Sequence, residues 1–206
     1  TELEELTVEH LQKVRELFGV KDPEKPLWKG RLAVFVLGDR SEFEKFAEDV
    51  TQRRVFDDNY SVSRRDSNGE DAYLVLYVPE DAPTSKPLPS LSYLLMSELT
   101  RLYIEESGHT YPQWFTLGMG AALAARTIDK DNPWVLSRYV KALGPLQELK
   151  RPGDLFKDGV FFSEDDARPV ALTLVAFFLE KGGGDPKLAQ FIKAFQESGS
   201  GTNSLQ

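Results

Sequence analysis

Five consecutive residues, Ser97-Glu98-Leu99-Thr100-Arg101, have the spacing at which a helix can present two ligands to one metal ion. Side chains four residues apart project from the same face of a helix, so positions 97 and 101 can reach a common ion. A carboxylate directly after the first ligand can then act as general base on a metal-bound water. Here the two ligand positions hold serine and arginine, and only Glu98 has the side chain that this chemistry requires.

A second stretch, YPQWFTLGMGAALA at residues 111–124, follows at the distance expected for a neighbouring helix. SELTR resembles the HELTH form of the HExxH zinc motif with both histidines replaced. Residues 111–124 resemble the pattern Pro-x-Trp-hydrophobic-x-Glu-Gly-hydrophobic-Ala, which carries the glutamate ligand of the gluzincins, the thermolysin-like clan of zinc peptidases. Within that clan the chain is most similar to the small bacterial peptidase MA-like domains, over roughly residues 28–196.

The resemblance implies that the three ligand positions fall on Ser97, Arg101 and Leu117, and that Glu98 keeps the position of the general base. None of the three suits zinc: a neutral serine is a poor ligand, a guanidinium has no lone pair to donate, and leucine is inert. We therefore expect no zinc, no cofactor and no catalysis, in a pseudopeptidase domain of a larger bacterial protein. Two alternatives stay open: an active metallohydrolase with atypical ligands, and an unrelated α+β binding domain whose helix contains SELTR by chance.

Glu98 and Arg101 lie three residues apart on the predicted helix and can form an ion pair. One hypothesis is that the Arg101 guanidinium takes roughly the place of the lost ion, while Leu117 closes the adjacent gap with apolar contacts. The other is an exposed surface pair that contributes less than about 1 kcal/mol.

The periodicity of the remaining sequence predicts an α+β fold in which a small antiparallel or mixed sheet packs with a mainly helical part. Strands are predicted within 31–39 and 55–79, the latter interrupted by a turn at Ser67-Asn68-Gly69. Helices are predicted over 7–20, 42–50, 90–104, 113–128, 131–143, 166–184 and 185–196. Thr7 and Ser41 are the predicted N-caps of the first two helices, and Gly19 is the predicted end of the first.

These elements suggest three segments: an N-terminal helix and linker over 1–27, a peptidase-MA-like domain over 28–196, and a flexible tail over 197–206. The domain divides into an α/β part of about 28–86 and a helical part of about 87–196.

A peptide-binding cleft can outlast the loss of catalysis. The resemblance implies that an extended peptide pairs with an edge strand beside the helix that carries Glu98, and AYLVLYV at 72–78 is the natural counterpart. Strand addition there would give an unidentified protein or peptide partner a docking site. The predicted cleft residues are Tyr73, Val75, Tyr77, Glu98 and Trp114.

Composition excludes several other classes. The net charge of −8 and the lack of a basic stripe argue against nucleic acid as a partner. No apolar run reaches the roughly 20 residues of a membrane span. There is no cysteine, so thiol chemistry is excluded, and the compartment stays open between secreted, periplasmic and cytoplasmic. Of the two histidines, His10 is predicted to be solvated or capping, and His109 offers at most a weak site with Glu105 or Glu106.

Overall fold

The computed structural model describes residues 2–19, 30–51, 55, 58–66, 70–80, 87–107, 111–149, 164–181 and 184–200. In chain order the elements are α1 (Glu2–Leu17), β1 (Leu32–Leu37), α2 (Arg40–Thr51), β2 (Ser61–Arg65), β3 (Ala72–Tyr77), α3 (Leu91–Glu106), α4 (Gln113–Thr127), α5 (Pro133–Glu148), α6 (Glu164–Glu180) and α7 (Gly184–Ser200). The fold is α+β, as predicted. None of the described helices is long and apolar enough to cross a bilayer.

The three strands form one mixed sheet in the order β1-β3-β2. β1 runs parallel to β3, with Leu32 opposite Ala72, and β2 runs antiparallel to β3, with Ser61 opposite Leu76. The strand predicted to offer a free edge, AYLVLYV, is therefore the central strand, and that prediction was wrong. The nearly continuous apolar run of β1 is typical of a buried strand, but as an edge strand β1 leaves Phe35 and Val36 38% and 41% exposed.

The main core forms where α3 packs between the sheet, α1 and α4. Nine residues of α3 are buried, and six of them cluster with Leu74 and Leu76 from one face of β3. The start of α3 is fixed by Ser90, whose hydroxyl accepts a hydrogen bond from the Tyr93 amide. This confirms the predicted central helix beginning at Ser90.

Two glycines let α4 lie against helices on both sides. A Cβ added at Gly120 would collide with the carbonyl oxygen of Ser97 on α3, and one added at Gly118 would collide with that of Ala171 on α6. Residues 118 and 120 point to nearly opposite sides of a helix, so each glycine serves one neighbour. The Gly-Met-Gly sequence thus places α4 tightly between α3 and α6.

Helix α1 belongs to the same core, because Val14 and Phe18 are buried in the main cluster. Its predicted end at Gly19 is confirmed, with Gly19 at a φ of 67° and its amide bonded to the Glu16 carbonyl. The prediction of Thr7 as N-cap was wrong. The helix begins at Glu2, and the Thr7 hydroxyl donates to the Leu3 carbonyl inside it. A solvated or capping His10 was also wrong, since the side chain is buried.

Two further boundaries differ from prediction. The amide of Glu42 donates to Asp39 Oδ1 at 2.9 Å, so Asp39 rather than Ser41 caps α2. A carboxylate at this position also interacts favourably with the positive end of the helix dipole. Helix α7 continues to Ser200, so the first four residues of the predicted tail are helical. The turn at 67–69, His109 and residues 201–206 lie outside the described residues.

Candidate functional site

Glu98 is a buried carboxylate at the junction of the sheet and the helices, with only 2% of its surface exposed. Ser61 Oγ donates to its Oε1 at 2.7 Å, and Ser63 Oγ donates to its Oε2 at 2.6 Å. Arg101 Nε donates to Oε2 at 3.0 Å, and Arg168 Nη1 approaches Oε1 at 3.8 Å. Glu98 therefore links α3 to β2 on one side and to α6 on the other.

Arg101 forms the predicted ion pair with Glu98 and is far from being a solvated surface residue. Its Nη1 donates to Glu105 at 2.8 Å, and its Nη2 donates to the Ser63 carbonyl at 2.9 Å and contacts the Ser63 hydroxyl. The guanidinium is thus held between α3 and β2. The hypothesis of an exposed surface pair was wrong.

The surroundings of Glu98 decide its protonation. Burial alone would raise the pKa of this carboxyl, but the charges of Arg101 and Arg168 and the Ser63 and Ser61 hydroxyls outweigh that effect and lower it to about 2. A general base works best when its pKa lies near the operating pH, because a strongly acidic group holds the abstracted proton poorly. The arrangement keeps Glu98 ionised at neutral pH and makes it a poor base.

A cavity adjoins this network and shares Ser61 and Arg168 with it. Ser97 and Leu117 both line it, so the structure brings two of the three predicted ligand positions together. Arg101 is not part of the lining, and the guanidinium that borders the cavity belongs to Arg168 of α6. The hypothesis that Arg101 fills the gap beside Leu117 therefore needs correction, because Ser63 and Glu105 hold Arg101 elsewhere.

The rest of the cavity wall is of mixed character. Polar side chains come from the residues before β2, from α3 and from α5: Asp58, Asn59, Tyr93 and Arg138. Apolar surface comes from Leu94, Ala121, Trp134, Pro169 and Leu172. Arg138 is fixed by Asp58 Oδ2 at 2.5 Å and by the Trp134 ring at 4.3 Å from its guanidinium carbon. Burial raises the pKa of the Tyr93 hydroxyl, which stays protonated.

The residues at the implied zinc position do not fit the metal. Ser97, Arg101 and Leu117 supply no nitrogen, sulfur or carboxylate ligand, and structural or catalytic zinc sites use at least three such ligands. Across the described residues no three histidine, aspartate or glutamate side chains converge as a metal site would require. The weak site suggested for His109 lies outside those residues.

The other predicted cleft residues do not line this cavity. Trp114 stacks on Phe178, packs at a tilt against Phe191 and borders a separate apolar pocket between α4, α6 and α7. Val75 packs against α2, on the sheet face opposite to α3, and Tyr73 shares that side because side chains alternate along a strand. Tyr77 also contacts that cluster. Only Glu98, among the five predicted cleft residues, lies next to the implied ligand positions 97 and 101.

The free edge of the sheet next to α3 belongs to β2. Tyr77 N–H donates to the Tyr60 carbonyl at 2.8 Å, so this pair is a hydrogen-bonded one. Such pairs alternate with non-bonded ones in an antiparallel ladder, so Ser61 and Ser63 turn their backbone N–H and C=O groups away from β3. The Arg101 bond to the Ser63 carbonyl agrees with this direction. In the part of the chain that is described, no strand pairs with this edge.

Sequence reasoning missed Ser61, Ser63 and Arg168. The two serines carried a signal: they alternate in SVSRR on the face where a strand beside a buried helix should be apolar, which indicates a buried polar partner. Arg168, in the second turn of α6 before Pro169, carried none.

Comparisons with models of known protein families, with curated proteins and with solved structures find no match for this chain. The gluzincin resemblance therefore rests on the two motifs and on the order of elements.

Proposed function

We propose that this chain is a non-catalytic relative of the gluzincin peptidases that serves as a peptide-interaction or scaffold module. The observation that carries the proposal is the state of Glu98. The carboxylate that would be the general base is saturated by two hydroxyls and a guanidinium, and its pKa is low. The position that would hold the metal has side chains that cannot bind one.

The interaction role is supported by the edge of β2. An unpaired row of N–H and C=O groups is a template for another strand. Ser61 and Ser63 are only 6% and 8% exposed, so a strand that pairs here has to displace the groups that cover this edge. Ser61 presents both of its backbone groups, and Ser63 presents its N–H. The Ser63 carbonyl accepts from Arg101 but keeps a second lone pair, so it can accept a further donor.

The non-catalytic part is tested by metal analysis and by a peptidase assay. We expect the purified protein to contain far less than one zinc per chain and to cleave no peptide with or without a chelator. Stoichiometric zinc together with chelator-sensitive cleavage would refute the proposal and establish the metallohydrolase alternative.

The interaction part is tested by amide hydrogen exchange, read residue by residue by NMR. The Ser61 and Ser63 amides have no strand partner among the described residues, so they should exchange more slowly with an extended peptide bound than in the free protein. Val62 and Arg64, whose amides face β3, should be protected in both states and serve as internal controls. Equal protection of Ser61 and Ser63 in the two states would mean that no peptide strand pairs with this edge.

A further inference from the structure

The cavity lies at the end of the β2 edge where the strand begins. Asn59 and Tyr60, the residues just before β2, line it together with Ser61. A segment added antiparallel to β2 runs from the Arg65 end towards the Ser61 end, so its C-terminus arrives at the cavity. Antiparallel pairing is also slightly more stable per residue than parallel pairing. The geometry of the edge therefore sets which end of a bound peptide meets the cavity.

Arg168 of α6 lies in the wall of this cavity. It is 45% exposed, and its contact with Glu98 at 3.8 Å is longer than a hydrogen bond. Glu98 is already satisfied by Ser61, Ser63 and Arg101. Within the described residues the Arg168 guanidinium donates no hydrogen bond, so its fork of N–H groups is available to a planar anion.

The charges around the cavity favour a singly charged ligand. Asp58 is paired with Arg138 and Lys141, at 2.5 and 3.0 Å, Arg101 is shared between Glu98 and Glu105, and Arg168 faces Glu98 at 3.8 Å. These four cations and three carboxylates leave one net positive charge beside the cavity. A dianion such as phosphate would also meet the nearby carboxylates of Glu98 and Asp58, and like charges repel strongly where water is excluded. A single carboxylate carries one negative charge, which balances the one positive charge of a guanidinium.

We infer that this cavity binds the free C-terminal carboxylate of an extended peptide, with Arg168 as the carboxylate partner and an apolar last side chain against Leu94, Leu117 and Leu172. The Ser97 hydroxyl, which makes no hydrogen bond within the described part of the chain, lies in the same wall and can donate to the carboxylate. This inference rests on the proposed peptide-binding edge and names the class of peptide that it takes.

The test uses acetylated pentapeptides of alternating threonine and valine, with each of the twenty residues in the last position, made both as free acids and as amides. Affinity is measured by titration calorimetry, and edge binding by exchange at Ser61 and Ser63. We expect the acid with an apolar last residue to bind at least about tenfold more tightly than its amide, as suits a charge-assisted hydrogen-bonded pair.

Arg168→Gln should reduce that ratio to near one, and Arg168→Lys should leave an intermediate ratio, because lysine keeps the charge but loses the fork. Arg168→Lys also keeps the test decisive if the glutamine variant fails to fold. The matched control is Arg31→Gln, which removes one positive charge from a side chain that is 90% exposed, beside β1. It should leave the ratio unchanged.

Each other outcome overturns a defined part of the reasoning. If acids and amides protect Ser61 and Ser63 equally, the edge function stands and the C-terminal recognition is wrong. If peptide amides ending in aspartate or glutamate bind as well as the free-acid peptides, the cavity recognises an acidic side chain instead of the C-terminal carboxylate. If no peptide protects the edge at millimolar concentration, both the inference and the proposed peptide binding fail.

Discussion

Replacing Glu98 by glutamine tests the buried network most directly. The substitution keeps the shape of the side chain but removes the charge that holds Arg101 between α3 and β2. An amide also turns one acceptor into a donor, which would face a serine hydroxyl or a guanidinium. Removing one partner of a buried pair costs roughly 3–5 kcal/mol of unfolding free energy, because the other charge is left without compensation.

The pKa of Glu98 gives an independent estimate of the same order. A folded value of about 2 against an ordinary value of 4.5 corresponds to about 3 kcal/mol of stability at neutral pH. Since the folded pKa is the lower one, this stability is fully present above pH 4.5. It is lost as the pH falls from there towards about 2.

The assay is urea unfolding followed by circular dichroism, at pH 7 and at several values down to about pH 2.5. We expect Glu98→Gln to lose about 3 kcal/mol at pH 7, with a difference from wild type that shrinks as the pH falls below 4.5. The matched control is Glu105→Gln, which removes the more exposed partner of the same arginine and should cost below about 1 kcal/mol. A Glu98→Gln variant as stable as that control, or a pH-independent difference, would refute the reasoning.

Three other measurements follow from the packing. Ser63→Ala should cost more than Ser61→Ala, about 2 against about 1 kcal/mol in urea unfolding, because the Ser63 hydroxyl contacts both Glu98 and Arg101; equal costs would contradict this. Gly120→Ala should lower the free energy of unfolding by several kcal/mol, because the added Cβ collides with the Ser97 carbonyl. Its control is Gly144→Ala in α5, where a Cβ meets nothing within 4 Å and should raise the free energy of unfolding by up to about 1 kcal/mol. Burial, together with the charge of Lys13, lowers the pKa of His10, so the folded state should lose stability as the pH drops below 6.5. The melting temperature of the wild type should therefore decrease over that pH range, and the melting temperature of His10→Leu should not show this decrease.

Local signals in the sequence predicted the elements well and their arrangement poorly. The α3 N-cap at Ser90, the end of α1 at Gly19 and the strands within 31–39 and 72–78 depend on neighbouring residues, which the sequence displays. The order β1-β3-β2 depends on contacts between distant segments, so the central position of β3 was not visible. The N-cap of α2 was missed because Asp39 and Ser41, two positions apart, are both good capping residues. Only the hydrogen bond from the Glu42 amide to Asp39 in the structure identifies Asp39 as the cap.

In the candidate site, too, the local contacts were predicted and the contacts between distant segments were not. The ion pair of Glu98 and Arg101 follows from helical spacing, and the shared cavity of Ser97 and Leu117 was expected from the resemblance. What could not be foreseen is that Arg101 faces the sheet, because its partner Ser63 lies 38 residues earlier in the chain. Arg168 borders the cavity only because Gly118 allows α6 to lie close to α4. Both facts belong to tertiary packing.

The network also bears on how a zinc site could be restored. Ser97→His, Arg101→His and Leu117→Glu together would supply three ligands, but the second change removes the cation that neutralises Glu98. The metal-free triple variant should therefore be less stable than the wild type by a few kcal/mol. If the implied geometry is present, zinc binds and supplies the missing positive charge, and at a free concentration a hundred times its dissociation constant it returns about 2.7 kcal/mol. A variant that unfolds more easily and gains nothing from zinc would show that positions 97, 101 and 117 do not surround one ion, and that the gluzincin resemblance is coincidental.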